Sequence, residues 1–283
     1  MPNALSHLPP LSGGRCRRQR GAPVSDEGPV QRLTRARLRQ LQKLRTARER
    51  RAQRLFLIDG EKLVRDALDA CAPIVEILST TPELWQNADL PLTALSQADA
   101  ERLSDTRTPQ GHFALIRDQL GELQIRSSDR WQVVALDAIQ DAGNVGGIIR
   151  SAAAFGVDSV LVGPGSADPT HPRVTRAATG AWFNVRISRS VDLLTDVTEL
   201  RQQGAAVWAA DQRGAPLREQ KLPSKIVWIF GNEGAGVAKQ FDDLIDARIA
   251  VPIGEGVESL NVNVAAGIIL HHAYERVHER SAT

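Results

Sequence analysis

Only two cysteines occur in 283 residues, Cys16 and Cys71. Two thiols so far apart make neither a disulfide framework nor a metal cluster, and they fit a reducing compartment, the cytoplasm. No run of about 18 uncharged apolar residues occurs, so no membrane span and no membrane partner is expected. His7, His112, His171, His271, His272 and His278 show no metal-ligand spacing, and no metal is expected. The dinucleotide fingerprint is missing: Gly143-x-x-Gly146-Gly147 lacks its spacing and Gly231-x-x-Gly234-x-Gly236 reverses it. A phosphate-binding loop ending in Gly-Lys-Ser/Thr is missing too, which argues against nucleoside triphosphate hydrolysis. There is no internal repeat.

What is present is uneven in charge. The net charge of +2 conceals 14 Lys+Arg against 3 Asp+Glu in residues 1–54, and 21 against 30 in the rest. A basic arm on a mildly acidic body points to a polyanionic partner, most simply nucleic acid. The apolar content of 42% is enough for real cores, so the chain is globular with a polar extension.

Residues 1–28 are rich in Pro, Gly, Ser and Arg without apolar periodicity, the composition of a disordered basic tail. The first 24 lack acidic residues, as transit peptides do, but Pro9-Pro10, Gly13-Gly14 and the absence of an amphipathic period favour a plain extension. Residues 30–54 read as one basic helix, with Leu33, Leu38, Leu41 and Leu44 as a narrow apolar stripe. Strand patterns at 55–58, 74–78, 92–95 and 112–116 then alternate with helical ones at 61–70, 82–87 and 97–103. Residues 29–118 therefore form a small α/β domain and 119–130 a polar linker. In residues 131–283, strands at 131–136, 159–162, 183–187, 205–210, 226–230 and 247–251 alternate with helices at 146–155, 173–179, 193–202, 237–245 and 259–280. This alternation predicts an α/β fold whose mostly parallel sheet is covered on both faces.

Three glycine- and asparagine-rich segments follow or end strands of the second domain. They are Asp137-Ala-Ile-Gln-Asp-Ala-Gly-Asn-Val-Gly-Gly-Ile-Ile-Arg150, Ile229-Phe-Gly-Asn-Glu-Gly-Ala-Gly236 and Val251-Pro-Ile-Gly-Glu-Gly-Val-Glu-Ser-Leu-Asn-Val262-Asn-Val264. Each offers backbone N–H groups free of bulky side chains, and together they predict a binding site built from loops at one sheet edge.

Taken in order, these segments resemble the signature motifs of the SpoU–TrmH branch of the SPOUT superfamily, the S-adenosylmethionine-dependent RNA ribose 2′-O-methyltransferases. Asn144, Gly146 and Arg150 match the first motif, Gly231, Glu233 and Gly236 the second, and Pro252, Ser259, Leu260 and Asn261 the third. Residues 54–64 and 104–111 are similar, less specifically, to the RNA-binding domain that often precedes the catalytic one. Mild departures are Ala142 where proline is common, Gly147 where alanine is common, Asn263 where serine or alanine is common, and Val251 and Ile253 in place of isoleucine and methionine.

The resemblance implies a deep trefoil knot in the C-terminal domain, a homodimer, and S-adenosylmethionine held by the knotted loops. It places Gly231, Asn232, Val251, Ile253 and Leu260 at the cofactor and Arg150, Asn144, Glu233, Ser259 and Asn261 at the reaction. A neutral guanidine is costly, because the group holds its proton far above neutral pH. Arg150 is therefore better suited to pinning a phosphate and steadying charge on the 2′-oxygen than to taking its proton, although the proton acceptor stays open. Asn144 fixes its loop or orients Arg150. Glu233 holds Arg150 or a backbone amide, or favours the start of a following helix. Ser259 sits where it can cap the last helix. Arg32, Arg35, Arg39, Lys43, Arg45, Arg48, Arg50 and Arg51 are expected to contact RNA phosphates, and the added domain favours ribosomal over transfer RNA. Transfer-RNA ribose methylation, base methylation on the same fold and a non-catalytic RNA-binding assembly factor stay open at this point.

Overall fold

The computed structural model describes residues 30–121, 123, 125 and 128–279. The expected basic tail 1–28 and Cys16, on which the reading of the two cysteines depends, lie outside the described residues, as does part of the expected linker.

The first half runs β1 (Gln31–Arg32), α1 (Arg35–Lys43), α2 (Ala47–Gln53), β2 (Leu55–Asp59), α3 (Glu61–Asp69), β3 (Ile74–Ser79), a 3-10 turn Pro82–Ala88, β4 (Leu92–Ala94), α4 (Gln97–Leu103) and β5 (His112–Arg117). The single helix expected over 30–54 is instead a short strand and two helices. Two threonines divide it. Thr34 accepts a hydrogen bond from Arg37 N and Thr46 one from Glu49 N, both from extended backbone, so each satisfies an orphan N–H and starts a new helix. Leu38, Leu41 and Leu44 nonetheless lie on one buried face, as their spacing requires. The strands form a mixed sheet in the order β1-β4-β3-β5-β2, with β5 antiparallel to both its neighbours.

The second half runs β6 (Trp131–Leu136), α5 (Ala142–Ala154), β7 (Ser159–Val162), α6 (Pro172–Ala178), β8 (Arg186–Arg189), α7 (Leu193–Gln202), β9 (Ala206–Pro216), β10 (Lys225–Phe230), β11 (Ala247–Ala250) and α8 (Val262–Glu279). The sheet order is β11-β9-β10-β6-β7-β8, and every pairing is parallel. Strand β6 is buried at every residue. Val134 and Leu136 pack with Ile148, Ile149, Ile269 and Leu270 of α5 and α8, while Val133 and Ala135 pack with Val197 and Leu200 of α7. Cover on both faces is what a continuous apolar strand demands.

Other expected elements change too. The helix over 237–245 is a set of tight turns around a 3-10 turn Lys239–Phe241, with Leu244 N donating to Phe241 O and Phe241 fully buried as the anchor. The strand over 183–187 starts only at Arg186, because Thr179–Phe183 forms a 3-10 turn that seats Trp182 5.1 Å from Phe56. Helix α5 starts earlier than expected and α8 later, which reshapes the loops described next.

Candidate active site

Strands β6 and β10 are parallel neighbours with Leu136 opposite Phe230, so the loops that follow them leave the same sheet edge. Three hydrogen bonds stitch these loops together. Asp137 N donates to Phe230 O (2.9 Å), Ala238 N donates to the Asp137 carboxylate (2.7 Å), and Asn232 Nδ2 donates to Ala138 O (3.0 Å). The Asn232 side-chain oxygen accepts from Gly234 N and Ala235 N and closes the turn. Gly231 is required here: a Cβ on it would lie 2.2 Å from Gly236 C and Val237 N, because the loop doubles back onto it.

The first segment is less a loop than a helix start. Asp141 caps α5, its carboxylate accepting from Asn144 N (2.9 Å), so Asn144 sits in the first turn. Its carboxamide donates to Glu233 Oε1 (2.7 Å) and accepts from Asn261 Nδ2 (3.0 Å). One side chain thus joins all three segments. Glu233 starts no helix, and its partner is Asn144. Helix α8 is capped by Asn261, whose Oδ1 accepts from Asn263 N (2.9 Å) and whose carbonyl accepts from Ala265 N. Ser259, expected at that cap, is two residues upstream, exposed, and without a hydrogen bond among the described residues.

Arg150 is exposed on α5 and makes no hydrogen bond or ion pair among the described residues. It lies six residues from Asn144, about 9 Å along the axis and roughly 120° round the helix. Neither Asn144 nor Glu233 orients it, contrary to expectation. Its guanidinium is free to meet a phosphate. In the third segment Val251 and Leu260 are half-buried while Pro252, Ile253 and Val257 are exposed, so the segment presents apolar side chains to its surface.

Of the eight basic residues expected to meet RNA, Arg32, Arg35, Arg39, Lys43, Arg45, Arg48 and Arg51 are exposed. Arg50 is not. Its side chain is 1% exposed, 3.3 Å from the Asp168 carboxylate, and donates to Thr170 Oγ1, Leu44 O and Arg45 O. Arg189 pairs with the same Asp168 (3.2 Å) and with Asp118 (2.8 Å). Arg50 is therefore an internal tie between α2 and the β7–α6 loop, and no phosphate reaches it. Sequence periodicity missed this because an arginine on a basic helix looks like its neighbours. The cue lay in the partner, Asp168, 118 residues away.

Among the described residues no cluster of three or more His, Cys, Asp or Glu is placed to hold a metal ion, and no helix is long and apolar enough to cross a membrane.

A parallel sheet whose edge loops converge on Asn144 is the architecture of a SpoU-type methylase. The chain matches the SpoU rRNA Methylase family over residues 132–271, and belongs to that family. Residues 35–114 match the MRM3-like substrate binding domain. It is 36% identical over 234 residues, 81% of this chain and 92% of the other, to the 23S rRNA (guanosine(2553)-2′-O)-methyltransferase RlmP of Bacillus subtilis. An rRNA methyltransferase structure from Sinorhizobium meliloti superposes with a TM-score of 0.79 at 25% identity, covering 88% of this chain and 99% of that one. The SpoU methyltransferase AviRb of Streptomyces viridochromogenes, solved with AdoMet, shares the fold with a TM-score of 0.79 at 24% identity, over 86% of this chain and 98% of that one.

Proposed function

We propose that this chain transfers a methyl group from S-adenosylmethionine to a ribose 2′-hydroxyl of ribosomal RNA. The observation that carries the reading is the Glu233–Asn144–Asn261 link, which draws the three segments into one cluster on the helix that also presents Arg150. The named 23S rRNA substrate of the Bacillus relative supports ribosomal RNA over transfer RNA, and a cytoplasmic setting.

The residues fit the cofactor. The Gly231–Gly236 turn exposes backbone with no side chain in the way, and Val251, Ile253 and Leu260 provide apolar surface beside it. When bound, S-adenosylmethionine supplies an electrophilic methyl. Asn232 holds its turn in shape, and Asn144 fixes the spacing between the second and third loops. Arg150, exposed and without a partner among the described residues, anchors a phosphate and stabilises negative charge growing on the 2′-oxygen. Ser259 lies at the edge of this site with its hydroxyl available to RNA.

The same reading includes the trefoil knot, with the third segment threaded beside the other two, and a homodimer. For the dimer, Val264 and Ile268 are 49% and 43% exposed and lie four residues apart on α8, an apolar stripe on one helix face, and Ile253 and Val257 are exposed as well. Residues 29–118 serve as the RNA-docking domain.

The test is incubation of the protein with labelled S-adenosylmethionine and unmodified ribosomal and transfer RNAs, followed by mapping of the methyl. A 2′-O-methyl on ribosomal RNA is expected; label on a base, on transfer RNA, or nowhere would overturn the reading. Arg150→Ala is expected to bind cofactor normally and to lose about 10²–10³-fold in turnover.

A further inference from the structure

A cavity of about 410 Å³ lies where the first sheet meets the turn after α6. We propose that this cleft between the two halves of the chain takes an unpaired nucleobase and its ribose, from a nucleotide near the one methylated. The proposal rests on the RNA-methylation reading above.

The volume is that of an ordinary small-ligand site. The lining is polar, fixed and balanced in charge. Asp59 and Asp66 face Lys62 and Arg176, so the cleft suits the neutral part of a nucleotide better than its phosphate. Its polar groups are held in place from behind. Gln110 accepts from Glu61 N through Oε1 (2.9 Å), which leaves its Nε2 as a donor. Asp59 accepts from Ser104 Oγ, and Ser104 also meets Thr106 Oγ1 at 2.8 Å. Burial, more than any other effect, raises the Asp59 carboxyl above its ordinary value, and the Ser104 hydroxyl acts against that shift. The hydroxyls of Thr108 and Thr179 make no hydrogen bond among the described residues. Fixed donors and acceptors around a small apolar floor, Leu63, are what reading an unpaired base edge requires.

The surroundings supply the phosphate contacts. Arg107 and Arg173 are exposed on the loop and the helix that border the cleft. Arg173 also connects the cleft to the reaction centre. It lies 3.7 Å from Asp141, the cap of α5, and three residues later Arg176 lines the cleft. That is about 4.5 Å along α6. Helices α5 and α6 touch closely, since a Cβ on Gly146 would lie 2.5 Å from Val174 O, so the two sites keep a fixed separation. One single-stranded segment therefore spans both.

The experiment uses the full chain and an RNA that it methylates. Thr108→Trp plugs the cleft. It is expected to raise KM for RNA about tenfold, roughly 1.4 kcal/mol, with unchanged S-adenosylmethionine affinity and native melting. An unchanged KM in a folded Thr108→Trp protein overturns the proposal. A single-stranded oligoribonucleotide carrying 4-thiouridine gives a second readout on the unmutated protein. Cross-links to peptides covering 60–63 or 104–110 support the cleft, and cross-links confined to α1, α2 and the Arg150 face overturn it. A wild-type protein that cross-links in the cleft but methylates no RNA would overturn the methylation reading and leave the cleft standing.

Discussion

Asn263 occupies the space that a side chain at Gly147 would need: a Cβ on Gly147 would lie 2.4 Å from Asn263 Cγ, Oδ1 and Nδ2. Both positions depart from the family pattern, one toward smaller and one toward larger, and the structure makes them a single compensating exchange of volume where α5 meets the first turn of α8. Gly147→Ala is expected to destabilise the protein. Overpacking costs about 1–3 kcal/mol, against about 1 kcal/mol gained in helix propensity. Adding Asn263→Ser should restore the wild-type midpoint in urea unfolding. If Gly147→Ala alone is neutral, the two residues are not coupled.

Among the described residues, Asn144 is the one side chain bonded to both other segments. Asn144→Ala removes the donor to Glu233 and the acceptor for Asn261, each a bond of about 1 kcal/mol in a half-exposed setting. The larger effect is on geometry: displaced loops are expected to lower kcat/KM about 10²-fold. Asn261→Ala, measured beside it and in the double variant, should be non-additive, since both break one link. Fully additive losses would mean that the two asparagines act separately.

Arg50, set beside the exposed Arg39 and Arg48, separates structure from RNA contact. Arg50→Ala leaves Asp168 buried with one partner fewer and is expected to destabilise by about 3–5 kcal/mol. Arg39→Ala with Arg48→Ala, two exposed arginines that make no ion pair among the described residues, should leave melting nearly unchanged and lower the slope of log affinity against log salt by about 2 if each meets a phosphate. Removal of residues 1–54 is a poor test of charge, because it also strips Leu38, Leu41 and Leu44 from the core. An unchanged salt slope in the Arg39/Arg48 variant would remove these faces of α1 and α2 from the RNA surface.

The regular parts of this fold were readable because burial leaves a period. Strands β6, β7 and β10 are apolar runs interrupted only by Gln132, Ser159 and Lys225, and the three signature segments are glycine-rich where backbones meet. What was not readable depends on partners remote in sequence or on single caps. Nothing local distinguishes Arg50 from Arg48. The apolar pattern of 237–245 suits a helix, yet Ala238 N is taken by Asp137, 101 residues earlier, and the chain turns instead. Ser259 and Asn261 are both good caps by type, and only the contact with Asn144 decides for Asn261.

Acid should loosen the tie between the two halves through Asp168. Burial alone pushes this carboxyl up, but Arg189, the hydrogen bonds from Thr170, and Arg50 together outweigh it and hold the group below its ordinary value. The unfolded chain therefore takes up the proton first as pH falls. The stabilisation is complete above the unfolded value of about 3.9, and is lost as pH falls through the lower folded value. Asp168→Asn should weaken the protein at neutral pH and flatten the acid limb of denaturant unfolding below about pH 4. Asp59 works in the opposite sense. Its carboxyl is raised, chiefly by burial, so its ionisation destabilises the fold as pH rises past the ordinary carboxylate range, and Asp59→Asn, by removing a group that gains stability on acidification, should make the acid limb steeper. Because the Asp168 ion pairs are buried, raising salt should move this limb little. An acid limb identical in wild type and Asp168→Asn would show that the tie contributes nothing to the pH response.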